Sequence, residues 1–190
     1  MRFRHLLAAA ACAAAFSSAA LAQSFTGKDV ESFMTLMDRV EGLRDKYPDE
    51  ELQASLPDGP MGFSDLLGAD GRFKIFSTMA DRLGEMSSSP AARDFSSAVK
   101  ESGFKSLGSF GDTADSIMMA YMALSMDEDA FEGMEELKNM DPSMLAMMPE
   151  GVRTQMAGIS KLAEAVQAVP EDDLDTLRPY QDELNDKFGQ

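Results

Sequence analysis

Apolar residues recur three and four positions apart along most of the chain that follows residue 23. The clearest case alternates these two spacings through Leu107, Phe110, Ala114, Ile117, Tyr121 and Leu124. This period places every member on one face of an α-helix, because the helix turns by about 100° per residue. No run of alternating apolar and polar residues is long enough to indicate a strand. The sequence therefore predicts an all-α fold.

Capping signals divide this pattern into separate helices. Thr26 followed three residues later by Asp29 is typical of a capping box at a helix start. Ser89 followed by Pro90 is typical of a second start, because Pro is favoured at the first helical position. Gly103 suits the end of the helix that begins there.

The breaks between the helices vary in length and composition. Residues 48–72 are predicted to be mostly loop, since Gly, Pro and Asp are frequent there. Helical spacing resumes over 73–86 and is clearest over 152–169. No repeat of fixed period relates these elements. We therefore expect residues 23–190 to form one domain, an irregular bundle of about six or seven helices around a central, buried, methionine-rich helix.

The first 22 residues have the composition of a secretory signal peptide. A short basic start precedes an apolar Leu/Ala stretch, and Ala20-Leu21-Ala22 supplies the small residues that signal peptidase requires. Cleavage is expected after Ala22, which indicates export to the periplasm and leaves release from the cell as an alternative. Cys12 suggests acylation as a lipoprotein, but the alanines before it lack the Leu usual in such a signal.

Removal of this leader would take away the only Cys and the only His of the chain. Zinc sites built from those residues, Cys nucleophiles and Ser-His-Asp triads would then be excluded. The formal net charge of −16 argues against nucleic acids and anionic lipid surfaces as partners, because both attract basic proteins. Carboxylate pairs could still act as acid and base, yet no pair stands out. We expect a protein without enzymatic activity and without a cofactor or metal.

Methionines dominate one predicted helix. On a helical wheel with Met118 at 0°, the side chains of Met119, Met122 and Met126 fall within about 100° of arc. The opposite side of the wheel holds Ile117, Ala120, Tyr121 and Leu124. A helix that is apolar on two faces is predicted to lie buried between other elements.

Three uses of the methionines remain open. The first is core packing, since flexible thioethers fill irregular gaps between helices. The second is an apolar surface or pocket for a protein or peptide partner, which the acidic stretch 127–136 would make a basic one. The third is binding of Cu(I) or Ag(I) by soft sulfur ligands, with the buffering of oxidants as a related role. The candidate partner surface consists of Met118, Met119, Met122, Met126, Met144, Met147 and Met148.

Two stretches carry a resemblance to other proteins. They are ESGFKSLGSFGDTADSIMMAYMALSM, residues 101–126, and DTLRPYQDEL, residues 175–184. With a Gly-Phe turn before a long helix and a Pro-Tyr pair near the C-terminus, the chain resembles small exported all-helical proteins of proteobacteria that have no assigned activity. The resemblance implies a periplasmic helical domain and carries over no functional residue.

Overall fold

The computed structural model describes residues 24–47, 66–127 and 147–188, together with positions 129, 132, 133, 136 and 144. The α-helices in these ranges are α1 (Gly27–Lys46), α2 (Ile75–Glu85), α3 (Pro90–Glu101), α4 (Leu107–Ser125), α5 (Glu150–Gln167), α6 (Glu171–Leu177) and α7 (Gln181–Phe188), with a 3₁₀ turn at Arg178–Tyr180. The all-α prediction is confirmed. The predicted signal peptide and residues 48–65 lie outside the described residues.

Both predicted helix starts are found in the structure, and the first of them, at Thr26, is closed by a capping box. The Thr26 N–H donates to the Asp29 carboxylate at 2.8 Å, and the Asp29 N–H donates to the Thr26 hydroxyl, which completes the capping box of α1. Helix α3 begins at Pro90, as expected. Gly103 follows the end of α3 with a φ of 112°, a left-handed conformation that favours glycine.

The helix predicted over 73–86 starts later than expected. Phe73 forms an isolated antiparallel bridge with Leu67, and α2 begins at Ile75. Phe73 lies three residues before Phe76, so its spacing fits a helix. The chain nevertheless leaves a turn at Gly71, where φ is 77° and the N–H donates to the Gly68 carbonyl oxygen at 3.0 Å.

Helix α4 lies at the centre of the bundle. It contacts α1, α2, α3, α5, α6 and α7. The aromatic centre of the main core is Phe110 of α4, which is fully buried. Its ring makes edge-on contacts with Phe76, Phe95 and Phe104, at centroid distances of 5.8, 5.9 and 5.5 Å. The central, buried position predicted for this helix is confirmed.

Candidate functional site

The two apolar faces of α4 contact two different clusters of side chains. Ile117 and Ala120 are buried in the main core, where Tyr121 and Leu124 pack against them. Met119 belongs instead to a second cluster, against which Met118, Met122, Ala123 and Met126 pack. Apart from Met118, which packs against both clusters, the division predicted from the helical wheel therefore corresponds to two contacts of one helix.

The methionine face of α4 contacts α5 and the turn before α2. Met119 is 1% exposed and lies among Phe73, Leu162 and Val166, which are also buried. Unbranched thioethers suit such a contact because they adapt to gaps between helices of unequal size. The packing of Met118, Met119, Met122 and Met126 thus has the geometry expected of core side chains.

The turn before α2 is held close to α5 by Gly71. A Cβ built on this residue would lie 2.3 Å from the carbonyl oxygen of Lys161. Such a distance is far inside van der Waals contact, and the positive φ adds strain for any L side chain. Glycine therefore allows the turn carrying Phe73 to approach the backbone of α5.

We expect Gly71→Ala to lower the free energy of unfolding by about 1–3 kcal/mol, from left-handed strain and overpacking together. Gly42→Ala is the matched control, because nothing lies within 4 Å of its added Cβ. That variant should raise stability by about 0.5–1 kcal/mol, since alanine is the better helix former. Urea denaturation followed by circular dichroism measures both. Equal stability of Gly71→Ala and the wild type would contradict the close contact with α5.

Met144 and Met147 are separate from this packing. Met144 is 56% exposed and Met147 is 86% exposed, and neither belongs to the two apolar clusters of the described residues. Met148 is half-buried and also lies outside both clusters. The candidate partner surface combines these three residues with four methionines of α4, whereas the cluster around Met119 in the described structure contains Leu162 and Val166.

In the sequence, the exposed methionines are followed by an apolar stripe on α5. Val152, Met156 and Ile159 follow one another at helical spacing, and Val152 is 41% exposed. The residues of α5 that are buried, Leu162, Ala163 and Val166, all belong to its second half. We name this set the apolar segment; its members are Met144, Met147, Val152, Met156 and Ile159.

Acidic residues precede the apolar segment along the chain. Asp129, Glu132 and Glu136 are exposed. Lys138 is the single basic residue in the sequence 127–150, where acidic residues are frequent. Between the members of the segment in the sequence, the positive charge of Arg153 offsets the negative charge of Glu150. The negative charge near the segment therefore comes from the residues before it.

Asp115 is a buried acid that sequence reasoning missed. It accepts hydrogen bonds from the Phe76 N–H at 2.8 Å, the Ser77 N–H at 3.0 Å and the Ser77 hydroxyl at 2.6 Å. Burial raises the pKa of this carboxyl, while the hydrogen bonds from Ser77 and Phe76 oppose the increase. On the helical wheel Asp115 falls at about 60°, inside the methionine arc. An acid on an otherwise apolar face was the available signal.

A second buried acid, Asp173, also bonds to the backbone. Its carboxylate accepts the Ser24 N–H at 2.8 Å, which fixes the chain just before α1. Asp115 and Asp173 both satisfy N–H groups near helix starts, a structural use of buried carboxylates. In the described ranges, no three Asp, Glu, His or Cys side chains are grouped as a metal ion would require.

Two open clefts lie elsewhere on the described surface. One of about 260 Å³ is lined by Asp70, Arg72, Glu164, Ala165, Ala168 and Val169. The other, of about 400 Å³, is lined by Met37, Asp38, Val40, Glu41, Arg44, Asp186, Lys187 and Phe188. Neither includes one of the seven methionines assigned to a partner surface or one of the two buried acids.

No family model, curated protein or solved structure matches this chain. The resemblance to exported helical proteins of proteobacteria therefore stays a prediction, and function must be argued from the side chains themselves. Among the described α-helices, none combines the length and the apolar character that crossing a bilayer requires.

Proposed function

We propose that this protein is an exported, non-enzymatic helical binding protein whose apolar segment binds a basic, amphipathic peptide or protein segment. The observation that carries the proposal is the position of the exposed apolar side chains. Four large apolar side chains of the described residues are distinctly exposed, and Met144, Met147 and Val152 are three of them. They fall within nine consecutive positions of the sequence, 144–152.

The residue types in the apolar segment suit a partner that is itself apolar on one side. Single exposed apolar residues are common on protein surfaces, but neighbouring ones are typical of interaction sites. Methionine adds flexibility, so the surface can repack around different apolar side chains. The stripe of Val152, Met156 and Ile159 on α5 has the spacing by which one amphipathic helix contacts another.

Charge favours a basic partner. The whole chain carries a formal net charge of −16, and the sequence 127–150 contains Lys138 as its single basic residue. A cationic peptide would be attracted by this field, and an anionic one would be repelled. The attraction should weaken as salt is added, because exposed charges are screened.

Export and the absence of enzymatic activity belong to the same proposal. The leader-like composition of residues 1–22 supports transfer to the periplasm. The hydrogen bonds of Asp115 and Asp173 to backbone N–H groups support a structural use of the two buried acids. A binding role requires no catalytic group from the chain.

Calorimetric titration tests the proposal with a helical peptide of Leu on one face and Lys on the other. We expect saturable binding that weakens with salt. Met144→Gln combined with Met147→Gln should weaken it about tenfold, since the two changes together remove apolar contact worth roughly 1.4 kcal/mol. The matched control, Met144→Leu with Met147→Leu, keeps the apolar area and should bind like the wild type.

A second peptide separates the contribution of charge. It carries Glu in place of Lys and keeps the same Leu face. We expect it to bind much more weakly than the cationic peptide. Equal affinity of the glutamine and leucine double variants would contradict the role of the segment, and equal affinity for the two peptides would contradict the basic partner.

A further inference from the structure

We propose that Met144 and Met147 are a modification site at which a hydroperoxide oxidises the apolar segment and thereby weakens partner binding. This inference rests on the proposed function, because it concerns the regulation of the same surface. The site consists of two thioethers at the exposed start of the segment, and it takes hydrogen peroxide or an organic hydroperoxide as its substrate.

Solvent access distinguishes these two sulfurs from other methionines of the described residues. Both side chains are mostly exposed, whereas Met34 and Met119 are buried. Met118, Met122, Met126 and Met156 are of intermediate exposure. Oxidation of methionine depends on contact between its sulfur and a dissolved oxidant, so access sets the order of reaction. Met147 and Met144 should therefore react first among the described methionines.

The chemistry requires no catalytic group from the protein. A lone pair of the thioether sulfur attacks one peroxide oxygen, the O–O bond breaks and an S–O bond forms. Sulfur loses two electrons. The second peroxide oxygen takes up the proton that the attacked oxygen releases, and it leaves as water or as an alcohol. Cys12, the only cysteine, lies in the predicted leader, so the exported chain would hold no thiol that competes for the oxidant.

The product changes what the surface can bind. A sulfoxide is polar and chiral, whereas a thioether is apolar and flexible. Conversion of Met144 and Met147 would place two strong hydrogen-bond acceptors where the partner presents apolar side chains. Such groups lose hydration without gaining a bond when the partner covers them. The core methionine Met119 would stay reduced, so the fold would persist while binding is weakened. A sulfoxide reductase would restore the affinity.

Peptide mapping by mass spectrometry after mild hydrogen peroxide treatment tests the order of oxidation. We expect Met147 and Met144 to reach half oxidation at least ten times sooner than Met34 and Met119. Oxidation of Met119 at the same rate as Met147 would overturn the assignment of the site.

Calorimetry with the cationic Leu/Lys peptide tests the consequence for binding. Treated wild type should bind about tenfold more weakly than untreated protein, and Met144→Leu with Met147→Leu should bind equally before and after treatment. Unchanged binding by treated wild type would overturn the oxidation switch alone. Absence of binding by untreated wild type would instead overturn the proposed function, and the switch with it.

Discussion

Phe110→Ala is expected to lower the free energy of unfolding by about 3–5 kcal/mol, the range typical of a large buried aromatic residue replaced by alanine. Phe110 is fully buried and contacts the rings of Phe76, Phe95 and Phe104. Its removal would leave a cavity that three helices and the loop after α3 cannot close without moving. Urea denaturation followed by circular dichroism gives the free energy directly.

Phe188→Ala supplies the matched control for this experiment. Phe188 stacks on Phe33 at a centroid distance of 6.1 Å, but it lies at the end of α7 and is partly exposed. We expect a loss of about 1 kcal/mol, because Phe188 is 36% exposed and lies at a helix end. A loss at Phe110 no larger than the loss at Phe188 would contradict the position of Phe110 at the centre of the core.

Asp115→Ala is expected to lower the free energy of unfolding by about 2–3 kcal/mol, because it leaves buried donors without an acceptor. The carboxylate receives the N–H groups of Phe76 and Ser77 at the start of α2. One turn earlier on α4, Gly111 allows this close approach, since a Cβ there would lie 2.6 Å from the Ser77 Cα. Gly111 and Asp115 therefore fix α2 on α4 together.

Asp112→Ala is the control, because Asp112 is exposed on the same helix. Its replacement should change stability by no more than about 0.5 kcal/mol. The two variants are compared by thermal denaturation at neutral pH. Similar melting temperatures for both would show that the hydrogen bonds of Asp115 contribute little to stability.

The pH dependence of Asp115 has a definite sign. Burial raises the pKa of its carboxyl above the ordinary value of 3.8, so between these two values the folded protein binds more protons than the unfolded chain. Its contribution to stability is therefore greatest below 3.8 and decreases as pH rises through the raised pKa. Asp115→Asn removes this titration. The stability of the wild type relative to Asp115→Asn should increase as pH falls through that window, and an opposite slope would contradict the assignment.

Local sequence was sufficient to predict the start of α1 and the orientation of α4. Thr26 and Asp29 define the start of α1 through contacts three residues apart, which a sequence pattern reveals directly. The wheel of α4 separated Met119 from Ile117, and these residues lie in different clusters. Both results depend on backbone geometry within a single helix, so neither needs knowledge of the tertiary fold.

The partner of each apolar face could not be predicted in the same way. The stripe of Val152, Met156 and Ile159 has the same period as the buried face of α4, yet Val152 is exposed. A period reports that a helix has an apolar face, and it does not report whether another element covers that face. For the same reason, the wheel could not show that Leu162 and Val166 contact the methionine side of α4.

Met119 and Met147 illustrate the consequence for the candidate site. The sequence predicts one partner surface for both, because each belongs to a methionine-rich stretch. In the structure Met119 is buried between helices, while Met147 extends into solvent. The difference in solvent exposure between these two methionines arises from which helices pack against each other. That pairing depends on contacts between residues far apart in the sequence. The binding role of either residue stays a prediction.

Methyl NMR of protein labelled with ¹³C at its methionine methyl groups, titrated with the cationic Leu/Lys peptide, tests the account most directly. It reports on core and surface methionines in one spectrum. We predict that the signals of Met144 and Met147 shift progressively to saturation while the signal of Met119 keeps its position. Shifts centred on Met119, or an unchanged spectrum at saturating peptide, would contradict the account.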